Sequence, residues 1–292
     1  MSAQIIDGIA LAQQVKQDVA GRVAALREQK RVVRLVAVLV GATPAAELFA
    51  NRQAEACRAV GIDYELRKLS AGVTQTELAG VIHPLNNDDA VTGIMLHLPL
   101  PDHLNATDLQ YAIDRWKDVE GVNPANIGYV VYGQRALVPF TAASCIKLIR
   151  STGTNLVGAE AVIVGASQIV GKPAALLLMQ EQATVTVCNV ATRDLMLHTR
   201  RADVLIVAVG KAGLIGASHV KPGAVVIDVG INRVTQADGT KKTVGDVDFE
   251  TARDVAGWIT PVPGGVGPMT VAILLRNTVR AAELLAGVGV KP

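Results

Sequence analysis

Ten residues, Pro261-Val262-Pro263-Gly264-Gly265-Val266-Gly267-Pro268-Met269-Thr270, carry three glycines and three prolines, and the apolar run Val271-Ala272-Ile273-Leu274-Leu275 follows at once. Glycine lets backbone approach a flat ligand with no Cβ in the way. Pro268 is placed to open a helix, where its missing N–H costs nothing. The segment reads as a rigid turn that delivers bare amides and a helix N-terminus to a site. A second turn of this kind is Val162-Ile163-Val164-Gly165-Ala166-Ser167-Gln168-Ile169-Val170-Gly171-Lys172-Pro173. It runs from strand through glycine into a helix start, where unpaired amides and the helix dipole attract phosphate. It departs from the G-x-G-x-x-G dinucleotide fingerprint, because Ser167 holds the second glycine position and the last glycine is Gly171. Val209-Gly210-Lys211 and Asp228-Val229-Gly230-Ile231-Asn232 put further glycines at strand ends, the carboxyl edge where open α/β sheets bind ligands. The chemistry these turns suit is the holding of a nicotinamide dinucleotide. An acid selecting NAD would close the second strand, yet Cys188 is followed by Asn189-Val190-Ala191-Thr192; the basic candidates for NADP are Arg193 and Lys172.

Such turns need strands and helices to carry them. The chain has 292 residues, long enough for two domains. Half of it is hydrophobic and only 3% aromatic, so the core is built from Val, Ile, Leu and Ala, which suits parallel strands covered on both faces. Leu11, Val15, Val19, Val23 and Leu26 mark an amphipathic helix over 9–29. Strands are expected at Leu35–Val40, Tyr64–Leu69 and Val91–Leu98, with helices from Pro44 to Val60 and across Gln75–Leu85. The Gly- and Pro-bearing stretch Glu120–Pro139 is the candidate boundary. Beyond it the alternation resumes with strands Ala161–Val164, Ala183–Cys188, Val204–Val209 and Ala224–Val229, a helix over Val170–Met179, and a last helix near Pro268–Ala286 that returns to the first domain. The expected domains are 1–139 with 268–292, and 140–267.

A net charge of +2 without a dense basic cluster argues against nucleic acid as partner. No apolar run reaches membrane-span length, and the N-terminus lacks the basic-then-apolar pattern of a signal peptide, so a cytoplasmic protein is expected. Cys57, Cys145 and Cys188 sit apart in apolar contexts and read as buried thiols, with no disulfide and no metal site.

Taken together, Gly165–Pro173 and Pro261–Thr270 resemble the bifunctional methylenetetrahydrofolate dehydrogenase/methenyltetrahydrofolate cyclohydrolase family. Ile5-Ile6-Asp7-Gly8, Val40-Gly41, Leu98-Pro99-Leu100-Pro101, Lys117-Asp118-Val119, Asn126-Ile127-Gly128, Val229–Asn232 and Val244-Gly245-Asp246-Val247 agree in order along nearly the whole chain. The resemblance implies an N-terminal α/β folate-binding domain, a Rossmann-like dinucleotide-binding domain, a cleft between them and a homodimer. Hydride would pass from methylenetetrahydrofolate to NADP, which the family favours, or to NAD. That step needs positioning more than acid–base chemistry. Water would then attack the methenyl carbon, a half-reaction that needs a proton carrier. The resemblance places folate against Phe49, Gln53, Leu96, His97, Leu98, Glu120 and the loop Pro263, Gly264, Gly265, Val266, Gly267. It places the dinucleotide against Gly165, Ala166, Ser167, Ile169, Val170, Gly171, Lys172, Val190, Arg193, Gly210, Ile231 and Asn232.

The chain departs from the family on one wall. The Tyr-x-x-x-Lys motif falls on Phe49-Ala50-Asn51-Arg52-Gln53, so the lysine credited with hydrolysis is Gln53 and its tyrosine is Phe49. His97 stands for the glutamine paired with that lysine, and Glu120 for the pterin-binding aspartate. The Cys-Thr-Pro segment reads Phe140-Thr141-Ala142, and the segment linked to the 2′-phosphate is reduced to Asn189–Thr192. An amide neither takes nor gives a proton near neutrality, so a dehydrogenase with weak or absent cyclohydrolase activity is expected. His97 as substitute proton carrier is the first alternative. A folate- and dinucleotide-binding homologue without turnover, or a dehydrogenase of a related one-carbon or imine donor, are the others.

Overall fold

The structure, a computed structural model, describes residues 2–41, 43–236 and 239–287. Its contacts divide it into two units, one of Met1–Ala12 with Thr141–Thr270 and one of Gln13–Phe140 with Val271–Pro292. The elements begin with β1 (Gln4–Ile5), α1 (Gly8–Glu28), β2 (Arg34–Val40), α2 (Pro44–Ala59), β3 (Asp63–Leu69) and α3 (Gln75–Asn87). There follow β4 (Gly93–Leu96), α4 (Ala106–Tyr111), α5 (Pro124–Val131), α6 (Phe140–Ser151), β5 (Glu160–Val164) and α7 (Gly171–Gln180). Then come β6 (Thr184–Cys188), α8 (Leu195–Thr199), β7 (Val204–Val207), β8 (Val225–Asp228), β9 (Asn232–Thr235) and β10 (Lys241–Val244). The chain closes with α9 (Phe249–Ala252), β11 (Trp258–Ile259) and α10 (Val266–Leu285).

In the Gln13–Phe140 unit, β2 is the centre of a parallel sheet ordered β3-β2-β4. Leu35 to Val40 are all buried, as a strand covered on both faces requires. Thr43 caps α2 by accepting from the Ala46 amide, and Thr74 and Glu77 close a capping box on α3. On α1, Val15, Val19, Val23 and Leu26 are buried; Leu11 is only half-buried and Ala12 takes the inward place. The stretch Glu120–Pro139 is not a plain connection. Asn123 accepts from the Ala125 amide and Pro124 opens α5, so the turn residues there are a helix start. α10 belongs to this unit from Val271, and Asn277 Nδ2 donates to the carbonyls of Val119 and Val138 at 3.0 and 2.9 Å.

The other unit is a six-stranded sheet, β1-β11-β8-β7-β5-β6, parallel throughout, with β9–β10 as a separate antiparallel pair. Residues 1–12, expected with the first domain, fall here because Gln4 and Ile5 pair with Trp258 and Ile259. Pro268 does not open α10, which starts two residues earlier at Val266. β4, β7 and β8 are shorter than their apolar runs, since pairing stops where the chain turns at the sheet edge. Among the described residues, no helix is long and apolar enough to cross a membrane and no group of His, Cys, Asp or Glu is placed to hold a metal. All three cysteines are buried free thiols, and burial pushes Cys57 and Cys145 up to about 12, far from a nucleophile's range.

Candidate functional site

On α2, Phe49, Gln53 and Cys57 follow at four-residue spacing and share a face. Leu35, Ala37 and Leu39 of β2 lie in register with Tyr64, Leu66 and Lys68 of β3, and Ala37 also with Met95 of β4, so Tyr64 and Met95 point to the same side of the sheet. Gln53 is the meeting point. It is 0% exposed, its Oε1 accepts from the Tyr64 hydroxyl at 3.2 Å, and its Nε2 donates to Met95 Sδ at 2.9 Å. The side chain expected at the substrate is thus a satisfied core amide. Tyr64→Phe is expected to cost about 1–2 kcal/mol by stranding the buried Oε1. Denaturant unfolding checks this, and an unchanged midpoint would mean that Gln53 has another donor.

His97 follows β4, and its backbone amide donates to Val38 O. Its ring is 4% exposed, meets the half-exposed Phe49 ring edge-on with centroids 5.8 Å apart, and leaves Nε2 without a partner. Burial pushes His97 down to about 4, so it is neutral at neutral pH. Leu98 is exposed, whereas Leu96 is buried in the core with Val36, Val38 and Leu78; it supports the wall from behind.

The segment Lys117–Glu120 runs beside β4, with the Ile94 amide donating to Lys117 O at 2.8 Å. Lys117 Nζ donates to the carbonyls of Leu85 and Asp88 and so anchors the segment. Asp118, fully buried, accepts from the amides of Gly121 and Asn123 and from Asn126 Nδ2. Glu120, 8% exposed, accepts from Gln110 Nε2 at 3.4 Å. Burial, with the Asp118 carboxylate as a second cause, pushes Glu120 up to about 8, so it carries its proton at neutral pH. Of the residues expected to bind substrate on this wall, the structure brings Phe49 and His97 together, keeps Glu120 at a buried turn, and turns Gln53 inward.

In the other unit, the turn after β5 is built as the sequence suggests. Gly165 has φ +118, and a Cβ on Gly171 would lie 1.9 Å from Gly165 O, so only glycine lets α7 start this close. Ser167 Oγ accepts from the amides of Val170 and Gly171. Among the described residues, the backbone N–H groups of Ala166, Ser167, Gln168 and Ile169 have no partner in the chain. Four successive free amides ahead of a helix fit a phosphate. Ile169, Val190 and Ile231 are exposed apolar side chains at three strand exits; Lys172 and Arg193 are exposed. The 189–192 turn closes on itself, with Asn189 N donating to Thr192 Oγ1 and Ala191 N to Asn189 Oδ1.

Gly264 has φ +112, and the Gly265 amide donates to Pro261 O at 2.8 Å, which folds the Pro263–Gly267 loop tightly. A Cβ on Gly8 would lie 1.9 Å from Gly265 O, so Asp7-Gly8 is shaped to seat this loop. Sequence reasoning missed Tyr64, Gln110, Asp228 and Asp246 as site builders. Asp228 and Asp246 carried a signal, as parts of Asp228–Asn232 and Val244–Val247, and neither motif gave them a role.

Comparison with known proteins covers both units. The model of the tetrahydrofolate dehydrogenase/cyclohydrolase catalytic domain matches residues 6–120, and that of the same family's NAD(P)-binding domain matches 139–286. The chain is 54% identical over 253 residues to the bifunctional protein FolD 3 of Roseobacter denitrificans, covering 87% of each chain. It is similar to the bifunctional FolD structure from Campylobacter jejuni, with a TM-score of 0.92, 42% identity and coverage of 97% and 99%. The Trypanosoma brucei dehydrogenase-cyclohydrolase, solved with NADP and an inhibitor, gives 0.91 at 35% identity, with coverage of 97% and 98%.

Proposed function

The chain belongs to the tetrahydrofolate dehydrogenase/cyclohydrolase family, and from that premise we propose that it oxidises 5,10-methylenetetrahydrofolate to the methenyl form with NADP, and hydrolyses the product weakly or not at all. The first half is supported by the free amides at Ala166–Ile169 and the seated Pro263–Gly267 loop. The second rests on one observation: Gln53 lies fully buried between Tyr64 and Met95, where an amide can serve neither as acid nor as base.

NADP supplies the hydride-accepting ring, and the chain supplies position. Gly165–Gly171 binds the phosphates, and Gly210, Ile231 and Asn232 line the other strand exits. Gln13–Phe140 with the C-terminal helix takes the folate. There Phe49 and Leu98 offer apolar surface, and Glu120 offers a neutral carboxyl to the pterin. His97 Nε2 awaits a polar atom of the substrate. Burial holds this ring neutral, so it orients rather than stores a proton. That argues against His97 as the substitute carrier. The relatives named bifunctional share the fold, and the hydrolytic half is where this chain's own residues depart. A homodimer in the cytoplasm completes the reading. The test is reduction of NADP, and separately of NAD, on addition of methylenetetrahydrofolate; binding of both ligands with no change in nicotinamide absorbance would replace the enzyme by a non-catalytic homologue.

A further inference from the structure

Two buried carboxylates interlock the strand exits on the dinucleotide side. Asp246, 0% exposed and just past β10, accepts from the amides of Val209 and Gly210 through Oδ2 at 2.7 and 2.9 Å, and from Asn232 Nδ2 through Oδ1 at 2.8 Å. Asp228, the last residue of β8, accepts from the amides of Gly230 and Asp246 through Oδ1 and of Val247 through Oδ2, all at 2.9 Å. Neither carboxylate leaves room for a side chain beside it. A Cβ on Gly230 would lie 2.3 Å from Asp246 Oδ1, and one on Gly245 would lie 1.7 Å from Asp228 Oδ2.

Burying two carboxylates side by side is costly, and apolar packing would join these strands at lower cost. What the carboxylates add is direction. With one Nδ2 N–H held by Asp246, the Asn232 amide plane is fixed and its carbonyl oxygen is turned away from Asp246, and Ile231 beside it is exposed. We propose that Asp246 is a positioning residue for the dinucleotide: it fixes Gly210 and turns the Asn232 amide carbonyl outward as an acceptor for an amide N–H, the chemistry of the nicotinamide carboxamide, while Asp228 holds Asp246 in place. This rests on the dinucleotide reading above and adds two residues to it.

The test measures NADP affinity by calorimetry, without folate, for wild type, Asp246→Asn, Asn232→Ala and the double variant. In Asp246→Asn one acceptor oxygen becomes a donor facing amide N–H groups. NADP affinity is expected to fall about tenfold, the KM for folate to stay within twofold, and the double variant to bind no more weakly than the worse single one. A lowered melting temperature with unchanged NADP affinity would overturn the proposal and leave Asp246 structural. If Asp246→Asn does not fold, Asn232→Ala decides alone: a fivefold or greater loss of affinity at unchanged melting temperature supports the clamp, and unchanged affinity overturns it. Failure of the wild type to bind either dinucleotide would remove the functional reading and the clamp with it, whereas normal wild-type binding with unaffected variants overturns the clamp alone.

Discussion

Purified protein given methylenetetrahydrofolate and NADP is expected to accumulate methenyltetrahydrofolate, with hydrolysis no faster than ~10²–10⁴-fold below that of a relative with a working proton carrier, the range that general acid–base catalysis supplies. Three side chains of the wall argue for it together. Gln53 has no titratable group and is held inward by Tyr64 and Met95. Phe49 has no hydroxyl to orient water and spends its ring on His97. Burial pushes His97 down to about 4, so at neutral pH it has no proton to lend and is a weak base for taking one. Following nicotinamide reduction and methenyl decay in one cuvette checks the expectation. Prompt decay at the rate of oxidation would sink it and point to a carrier elsewhere.

What the sequence made legible was whatever is encoded locally. β2 reads from its own apolar run, the Gly165 turn from its own residues, and the thiols from their surroundings. Pairings across the chain did not read. β1 and β11 are two residues each and become strands only by meeting, so no periodicity could announce them. β9 and β10 are mostly polar, half of their residues are exposed, and they pair with each other. α5 hid behind its own start signals, since Asn123-Pro124 looks like a turn until the helix after it is seen. The site divides in the same way. That position 53 had changed from lysine to glutamine was visible against the family motif. That Gln53 would be buried was not, because its partners Tyr64 and Met95 lie 11 and 42 residues away. The departures also turn out to be accommodated: Gln53 by Tyr64, His97 by Phe49, Glu120 by Gln110. A decaying pocket would strand its buried polar groups one by one. Among the described residues of Gln13–Phe140, the buried side-chain atoms without a partner are His97 Nε2 and, behind the wall, Asn126 Oδ1.

Glu120 gives the largest stability effect. In the unfolded chain its carboxyl ionises near its ordinary value of 4.5; in the folded protein, burial and Asp118 keep it protonated up to about 8. Between those values the folded state binds more protons than the unfolded one, so stability falls as pH rises through the window and levels off above it. Each unit of difference is worth about 1.4 kcal/mol, which makes the loss between pH 5 and pH 9 on the order of 4 kcal/mol. Glu120→Gln keeps the shape, the carbonyl acceptor and a donor, and removes the titration. The variant is therefore expected to match the wild type within about 1 kcal/mol at pH 5 and to exceed it by on the order of 4 kcal/mol at pH 9. Urea unfolding of both proteins at pH 5, 7 and 9 measures this, and the difference between them cancels the titrating groups that do not interact with Glu120. Parallel curves would mean that Glu120 ionises in place, with a cation or water that the buried turn does not provide. Diverging curves would mean that the carboxyl is a neutral acid at neutral pH, and in the proposed substrate reading it then has one donor and one acceptor to offer where an ionised aspartate offers acceptors alone. In that case Glu120→Gln should also hold its KM for folate at pH 7, because glutamine presents the same pair.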